Sequence, residues 1–78
     1  MWGYILRSQK NRRYYVGHSQ DIDLRIARHN RGETISTRHG IPWELVMVKP
    51  FDARAEAMQW ERSVKARGIA RYLGDLKV

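Results

Sequence analysis

The sequence predicts an α/β fold, and three observations carry the prediction. Two short runs rich in aromatic and β-branched residues, Trp2–Leu6 and Tyr14–Gly17, flank a polar, basic loop from Arg7 to Arg13 and read as a β-hairpin. A third such run, Trp43–Val48, lies between two stretches of helical spacing, Asp21–Asn30 and Ala53–Ala66. The resulting β-β-α-β-α order, in a chain of 78 residues, is expected to close around one core as a single domain, residues 1–78.

After the hairpin, Asp21 is placed to cap a helix that runs to about Asn30, with Gly32 just beyond it as a stop. At about 100° per residue, Arg25, Ile26 and His29 fall within roughly 60° of Ile22. The face that packs on the sheet therefore carries a cation and an imidazole beside two isoleucines, while Asp23, Leu24, Ala27 and Arg28 look the other way. Taken alone, Arg25 snorkels from the edge of that stripe and His29 is a satisfied core histidine.

Arg31 to Ile41 reads as a polar, basic connection that on its own is simply solvated; beside a phosphate-binding site its Ser36, Thr37 and Arg38 could follow a phosphate backbone. In the third strand Trp43, Leu45 and Met47 alternate against Glu44, Val46 and Val48. With one charge among those six, this strand is expected to be covered on both sides, between helices. The second helix sets Glu61 at the border of a packed face formed by Ala53, Ala57, Trp60 and Val64. A carboxylate buried there without a partner costs roughly several kcal/mol. Lys65, one turn on, is one candidate partner and a divalent metal ion is the other. Glu56 points away and reads as a surface acid. A short last helix is expected around Ala70 to Leu76, interrupted at Gly74.

The balance of 15 Lys and Arg against 8 Asp and Glu gives +7 and a pI near 10.4. Such an excess favours a polyanionic partner, with nucleic acid, acidic membranes and simple solubility all open on charge alone. The chain has no cysteine, so neither disulfides nor a thiolate zinc site supplement the core. No stretch approaches the roughly 20 apolar residues of a membrane helix, and no signal-peptide pattern is present. A cytoplasmic protein without a membrane partner is the expectation.

A tyrosine-bearing strand, then Tyr15-Val16-Gly17, then Arg25-Ile26-x-x-His29-Asn30, resembles the GIY-YIG nuclease family. The likeness runs on through Thr37-Arg38, Pro42-Trp43-Glu44-Leu45-Val46 and Glu56-Ala57 to Glu61 and Lys65, and so covers most of the chain. Tyr4 and Tyr15 correspond to the two motif tyrosines. The first motif is written Trp2-Gly3-Tyr4 and keeps only its tyrosine; the second departs by one apolar change. The pattern is nearer to the small stand-alone, bacterial-type members than to the nuclease domain of the UvrC repair protein. It implies a small three-stranded antiparallel sheet flanked by helices, and a one-metal hydrolysis leaving a 5′-phosphate and a 3′-hydroxyl.

Cutting a phosphodiester needs an activated water, stabilisation of charge on the phosphate, and relief of the leaving oxygen. The chain has no HExxH, P-loop or paired carboxylates at two-metal spacing, which leaves one carboxylate and one ion. Glu61 is expected to hold Mg²⁺ or Mn²⁺. Arg25 would grip the phosphate with its guanidinium fork. Tyr4 is expected to be the base, with Tyr15 orienting water or phosphate and the two roles exchangeable. The arginine and the ion would favour the phenolate against its ordinary pKa of about 10. His29 would relay a proton with a tyrosine or bond the phosphate. Arg28, Arg31, Arg38 and Lys65 are the candidates for a nucleic-acid backbone, with DNA expected and RNA left open.

Two departures from the family pattern stand out. Wider family members carry an asparagine downstream of the glutamate, whereas here that region reads Arg71-Tyr72-Leu73-Gly74 and no asparagine follows Glu61. There is also no appended domain to choose a target, which implies weak selectivity or a targeting partner protein. The small core and an exposed sheet edge favour a homodimer. The expected function is a metal-dependent, structure- or strand-directed DNA endonuclease of repair or recombination, and beside it stands the alternative of a nucleic-acid-binding module that cuts weakly or not at all.

Overall fold

In a computed structural model, which describes residues 1–76, β1 (Trp2–Ser8) is the middle strand of a three-stranded sheet. It is flanked by β2 (Tyr14–Ser19) and β3 (Trp43–Pro50), both antiparallel to it. Helix α1 (Ile22–Asn30) covers one face, while α2 (Arg54–Arg67) and α3 (Ile69–Asp75) cover the other. The α/β class and the antiparallel sheet flanked by helices are as expected.

The central place falls to β1 because Tyr4, Ile5 and Leu6 are apolar on both faces in succession, and all three are fully buried. Alternation sends Ile5 to one side and Tyr4 with Leu6 to the other. Ile5 packs with Val16, Trp60 and Val64 under α2, whereas Tyr4 and Leu6 pack with Trp43 under α1. The expected single core is thus two clusters divided by the sheet. Each fully buried aliphatic side chain contributes about 1.5–3 kcal/mol. Gly3 is required by the first cluster: a Cβ there would lie 2.6 Å from the Trp60 ring.

β3 corrects the sequence reading. It is an edge strand, not one held between helices, and its Leu45, Val46 and Val48 are exposed. Its alternation is also broken. Leu6 pairs with Leu45 and Ile5 with Met47, so Val46 is an extra residue at a bulge. That bulge turns Trp43 to the α1 side and Met47 to the α2 side, although spacing alone puts them on one face.

The Asp21 side chain accepts from the Leu24 N–H at 3.0 Å and caps α1 as expected; Gly32 follows the helix at φ +78°. The connection after it is not irregular throughout, for Ile35–Gly40 forms a 3₁₀ segment. Gly74 does not interrupt α3, which runs unbroken from Ile69 to Asp75. Among the described residues no helix is long and apolar enough to cross a membrane.

Candidate active site

The buried face of α1 delivers its polar residues to the centre of the fold. His29 is fully buried, and its Nδ1 lies 2.8 Å from the hydroxyl of Thr37. That hydroxyl donates to the Thr34 carbonyl at 3.3 Å, so it accepts the proton on His29 Nδ1. The assignment leaves Nε2 as an acceptor, and the Tyr4 hydroxyl donates to it at 3.0 Å. Arg25 closes the chain, donating from Nε to the Tyr4 oxygen at 3.3 Å. Four side chains thus form one directed line of hydrogen bonds from Arg25 through Tyr4 and His29 to Thr37.

Burial controls both ionisable groups in the middle of this line. It pushes the Tyr4 phenol up to about 12, because desolvation outweighs the opposing hydrogen bond from Arg25. The expected lowering by the arginine is therefore present but overruled. Burial, and then the charge of Arg25, bring His29 down to about 4, so the imidazole is neutral at neutral pH.

Tyr15 joins from β2. Leu6 pairs with Tyr15 and Tyr4 with Gly17, which places both tyrosines on the α1 face. Their ring centroids are 6.3 Å apart, and Tyr15 stands edge-on to His29 at 5.0 Å. Gly17 makes this possible, since a Cβ there would sit 2.7 Å from the Tyr4 hydroxyl. Any larger residue would displace the phenol from its place.

Glu61 arrives from the opposite face of the sheet, on α2. Its Oε1 lies 2.8 Å from His18 Nδ1 and its Oε2 accepts from Lys65 Nζ at 2.8 Å. Burial raises the carboxyl pKa, but the bonds from Lys65 and His18 outweigh it and hold the group below its ordinary value. Both walls meet over the free edge of β2 at Gly17 and His18, around a pocket of about 650 Å³. Tyr4, Tyr15, Arg25, Arg28, Arg54 and Glu61 line it.

Of the expected site residues, the structure brings Tyr4, Tyr15, Arg25, His29 and Glu61 together, with Arg28 on the rim and Lys65 on Glu61. Arg31 and Arg38 do not line the pocket. Arg31 pairs with Glu33, and the Arg38 guanidinium bonds the Gly32 carbonyl at the end of α1. Thr37 does not face a phosphate backbone either; it is buried against His29. Glu56 is a surface acid, as read.

His18 and Arg54 are pocket residues that sequence reasoning missed, and each had a signal. β2 extends two residues past Gly17, which puts His18 on the face of Val16. Arg54 precedes Glu61 by two helical turns and so shares its face of α2.

The donor set fits only a lightly held ion. Among the described residues no group of three His, Cys, Asp or Glu side chains is placed to hold a metal. The other pocket acid, Asp21, gives one oxygen, Oδ1, to the cap of α1. Each Glu61 oxygen has one partner and keeps acceptor capacity, which suits a divalent cation that retains most of its water.

Comparison with known proteins agrees with this architecture. The GIY-YIG catalytic domain matches residues 1–72. A UPF0213 protein of Halalkalibacterium halodurans is 40% identical over 63 residues, covering 80% of this chain and 66% of that protein. Another, from Natronomonas pharaonis, is 36% identical over 58 residues, covering 73% and 68% respectively. The chain thus spans about two thirds of the length of these relatives. The solution NMR structure of a UPF0213 protein from Bacillus halodurans superposes with a TM-score of 0.58 at 34% identity, over 97% of this chain and 83% of that one. The chain belongs to the GIY-YIG family of nucleases, in its small UPF0213 group.

Proposed function

We propose that this protein is a metal-dependent endonuclease that hydrolyses DNA phosphodiester bonds, using Mg²⁺ or Mn²⁺ at Glu61, in repair or recombination. The observation that carries the reading is the directed line Arg25–Tyr4–His29, which ends at a pocket whose far wall is Glu61. Arg25 bonds Tyr4 through Nε, with Tyr15 as a lesser second partner, and its fork lines the pocket, where a terminal nitrogen can meet phosphate oxygens.

The shifts of Tyr4 and His29 define how a water could be activated. A phenol held near 12 is a poor store of negative charge, so Tyr4 passes a proton on instead of standing as a free phenolate. Water gives its proton to the Tyr4 oxygen as the Tyr4 proton moves to His29 Nε2. Burial and Arg25 hold that imidazole neutral at rest, so its proton uptake has to be driven by the negative charge that builds beside Arg25 as the phosphate is attacked. The water oxygen bonds to phosphorus, the bond from phosphorus to the 3′ oxygen breaks, and the 3′ oxygen takes a proton from solvent to leave as a hydroxyl, with His29 returning its own proton to solvent afterwards. Arg25 offsets the charge on the phosphate, and Tyr15, edge-on to His29, orients the water. A bound divalent ion would add positive charge at the phosphate and relieve the leaving oxygen. Arg28, Arg54 and Lys65 supply the basic rim for the DNA backbone.

One observation favours a second reading, a nucleic-acid-binding module with weak cleavage. The segment where the wider family places its asparagine lies in α3, and its Tyr72 hydroxyl accepts from Trp60 Nε1 at 3.0 Å, on the apolar side of the fold. That segment sends no side chain into the pocket. The deciding experiment compares wild type with Glu61→Gln on labelled single-stranded, duplex, flap and branched DNA, with Mg²⁺ or Mn²⁺. Metal-dependent products from wild type alone are expected. Binding by both proteins with cleavage by neither would hand the site to the second reading.

A further inference from the structure

His18 is the pocket residue that the hydrolysis above leaves without a task. It lies on β2 opposite Gly3, pointing to the α2 side, and reaches Glu61 with Nδ1. We propose that His18 is a second protein ligand to the ion held at Glu61, and that this nitrogen–oxygen pair selects a first-row transition ion over Mg²⁺. The inference rests on the endonuclease reading only for the presence of an ion at Glu61.

The spacing supports it. Nδ1 and Oε1 are 2.8 Å apart. Two neighbouring ligands of one ion, each bonded at about 2.1 Å and at a right angle, stand about 3 Å from each other. The pair therefore needs a change of a few tenths of an ångström and a turn of the ring that aims a lone pair, instead of N–H, toward the ion. Nε2 of His18 takes no side-chain hydrogen bond among the described residues, so the proton can reside there when Nδ1 ligates. Lys65 sits on the other carboxylate oxygen and leaves the His18 side to the ion.

Other candidates for the second ligand are less well placed. Both nitrogens of His29 are engaged, by Tyr4 and Thr37, and the Asp21 carboxylate gives Oδ1 to the cap of α1, whereas His18 already touches Glu61. A site of one imidazole, one carboxylate and waters is a poorer match for Mg²⁺, which prefers oxygen throughout, than for Mn²⁺ or the ions that follow it in the Irving–Williams order.

The test uses Mn²⁺ and Mg²⁺ as probes, without nucleic acid. Calorimetry gives the two affinities, and pulsed electron paramagnetic resonance on the Mn²⁺-loaded protein reports whether a ¹⁴N nucleus is coupled to the ion. Wild type should show the ¹⁴N coupling and bind Mn²⁺ more tightly than Mg²⁺. His18→Ala should lose the coupling and about ten- to a hundred-fold of the Mn²⁺ affinity, with Mg²⁺ affected far less. His18→Gln keeps the side chain's size and polarity and guards against a folding defect in the alanine variant; it should behave the same way. Glu61→Gln should lose both ions.

Mn²⁺ bound in wild type without ¹⁴N coupling, and with an unchanged ion ratio in His18→Gln, would overturn the inference while leaving the endonuclease reading intact. Wild type that binds neither ion would overturn the inference as well, and the DNA cleavage panel would then show whether the reading falls with it.

Discussion

Tyr4 and Ile5 are neighbours on one strand, both fully buried, and they look into different surroundings. Ile5 meets Val16, Trp60 and Val64, with Phe51, Ile69 and Leu73 closing over them. Tyr4 meets His29 and Arg25, in a line that continues to Thr37. The α2 face is held by apolar contact that is close-packed, down to Gly3, where a Cβ would lie 2.6 Å from the Trp60 ring. The α1 face adds to its own apolar cluster of Tyr4, Leu6 and Trp43 a line of hydrogen bonds whose donors and acceptors must alternate, and each member lost leaves another unsatisfied. The contrast teaches that this small fold packs an apolar cluster on each face of one sheet but sets the hydrogen-bonded line on the α1 side alone, with Glu61 reaching the same pocket from α2.

The sharpest way to break the contrast is to injure one side and measure both properties. Arg25→Lys keeps the charge but loses the guanidinium that spans Tyr4 and the pocket. Cleavage is expected to fall by about 10²–10³-fold, the range for loss of a preorganised charge-stabilising group, while the unfolding free energy from urea titration changes by less than about 1 kcal/mol. Ile5→Ala should do the reverse. Removing a fully buried aliphatic side chain costs about 2–5 kcal/mol, yet the fraction that stays folded should cut at the wild-type rate. An Ile5→Ala protein that loses specific activity in proportion to Arg25→Lys would show that the two faces are not separate.

The two faces also differed in how plainly the sequence announced them. The helical wheel of α1 brought Ile22, Arg25, Ile26 and His29 to one face, and α1 does present His29 inward. The tyrosines were legible as strand residues, but their shared orientation depends on the pairing of Tyr4 with Gly17, which local spacing does not encode. β3 was misread because a bulge at Val46 reverses the alternation halfway along, and because strand order is a property of the whole sheet. Thr37 and His18 were missed as partners for a related reason. Each meets its partner across a long-range contact, one from a 3₁₀ segment and the other from the last turn of a strand.

A second way to sharpen the comparison uses pH. The folded state holds His29 near 4, against an ordinary value of 6.5. Above pH 6.5 the imidazole is neutral in both folded and unfolded chains, and the shift has no effect. As pH falls below 6.5 the unfolded chain takes up a proton that the folded one refuses. Stability from this group therefore declines by about 1.4 kcal/mol per pH unit until near pH 4, about 3 kcal/mol in all. Tyr4 gives the mirror image in alkali. Its folded value near 12 means stability is lost as pH rises from 10 toward 12, where the unfolded phenol ionises first. Urea unfolding across pH 4–7 should show the acid slope in wild type and a flatter one in His29→Gln. Equal slopes would place the imidazole's proton uptake elsewhere.

The smallest expected change falls on Thr37, and it tests the direction of the hydrogen-bonded line itself. Thr37→Val preserves shape but leaves the His29 Nδ1–H without an acceptor, at a cost of about 1–3 kcal/mol. Thr37→Ser keeps the hydroxyl and should cost less than half as much. The direct readout is the ¹⁵N shift of the His29 ring. Wild type and Thr37→Ser should carry the proton on Nδ1, whereas Thr37→Val, with no acceptor there, should shift it toward Nε2. With its proton on Nε2, His29 can no longer accept from Tyr4, and the line that is proposed to drain a proton from water is cut at its second link. Cleavage by Thr37→Val should then fall about tenfold or more, within the range of a lost acid–base contribution, although Thr37 touches neither substrate nor ion. Finding Nε2–H in the wild type would reverse the line, making His29 the donor and Tyr4 the acceptor, and the base would have to be sought at Tyr15.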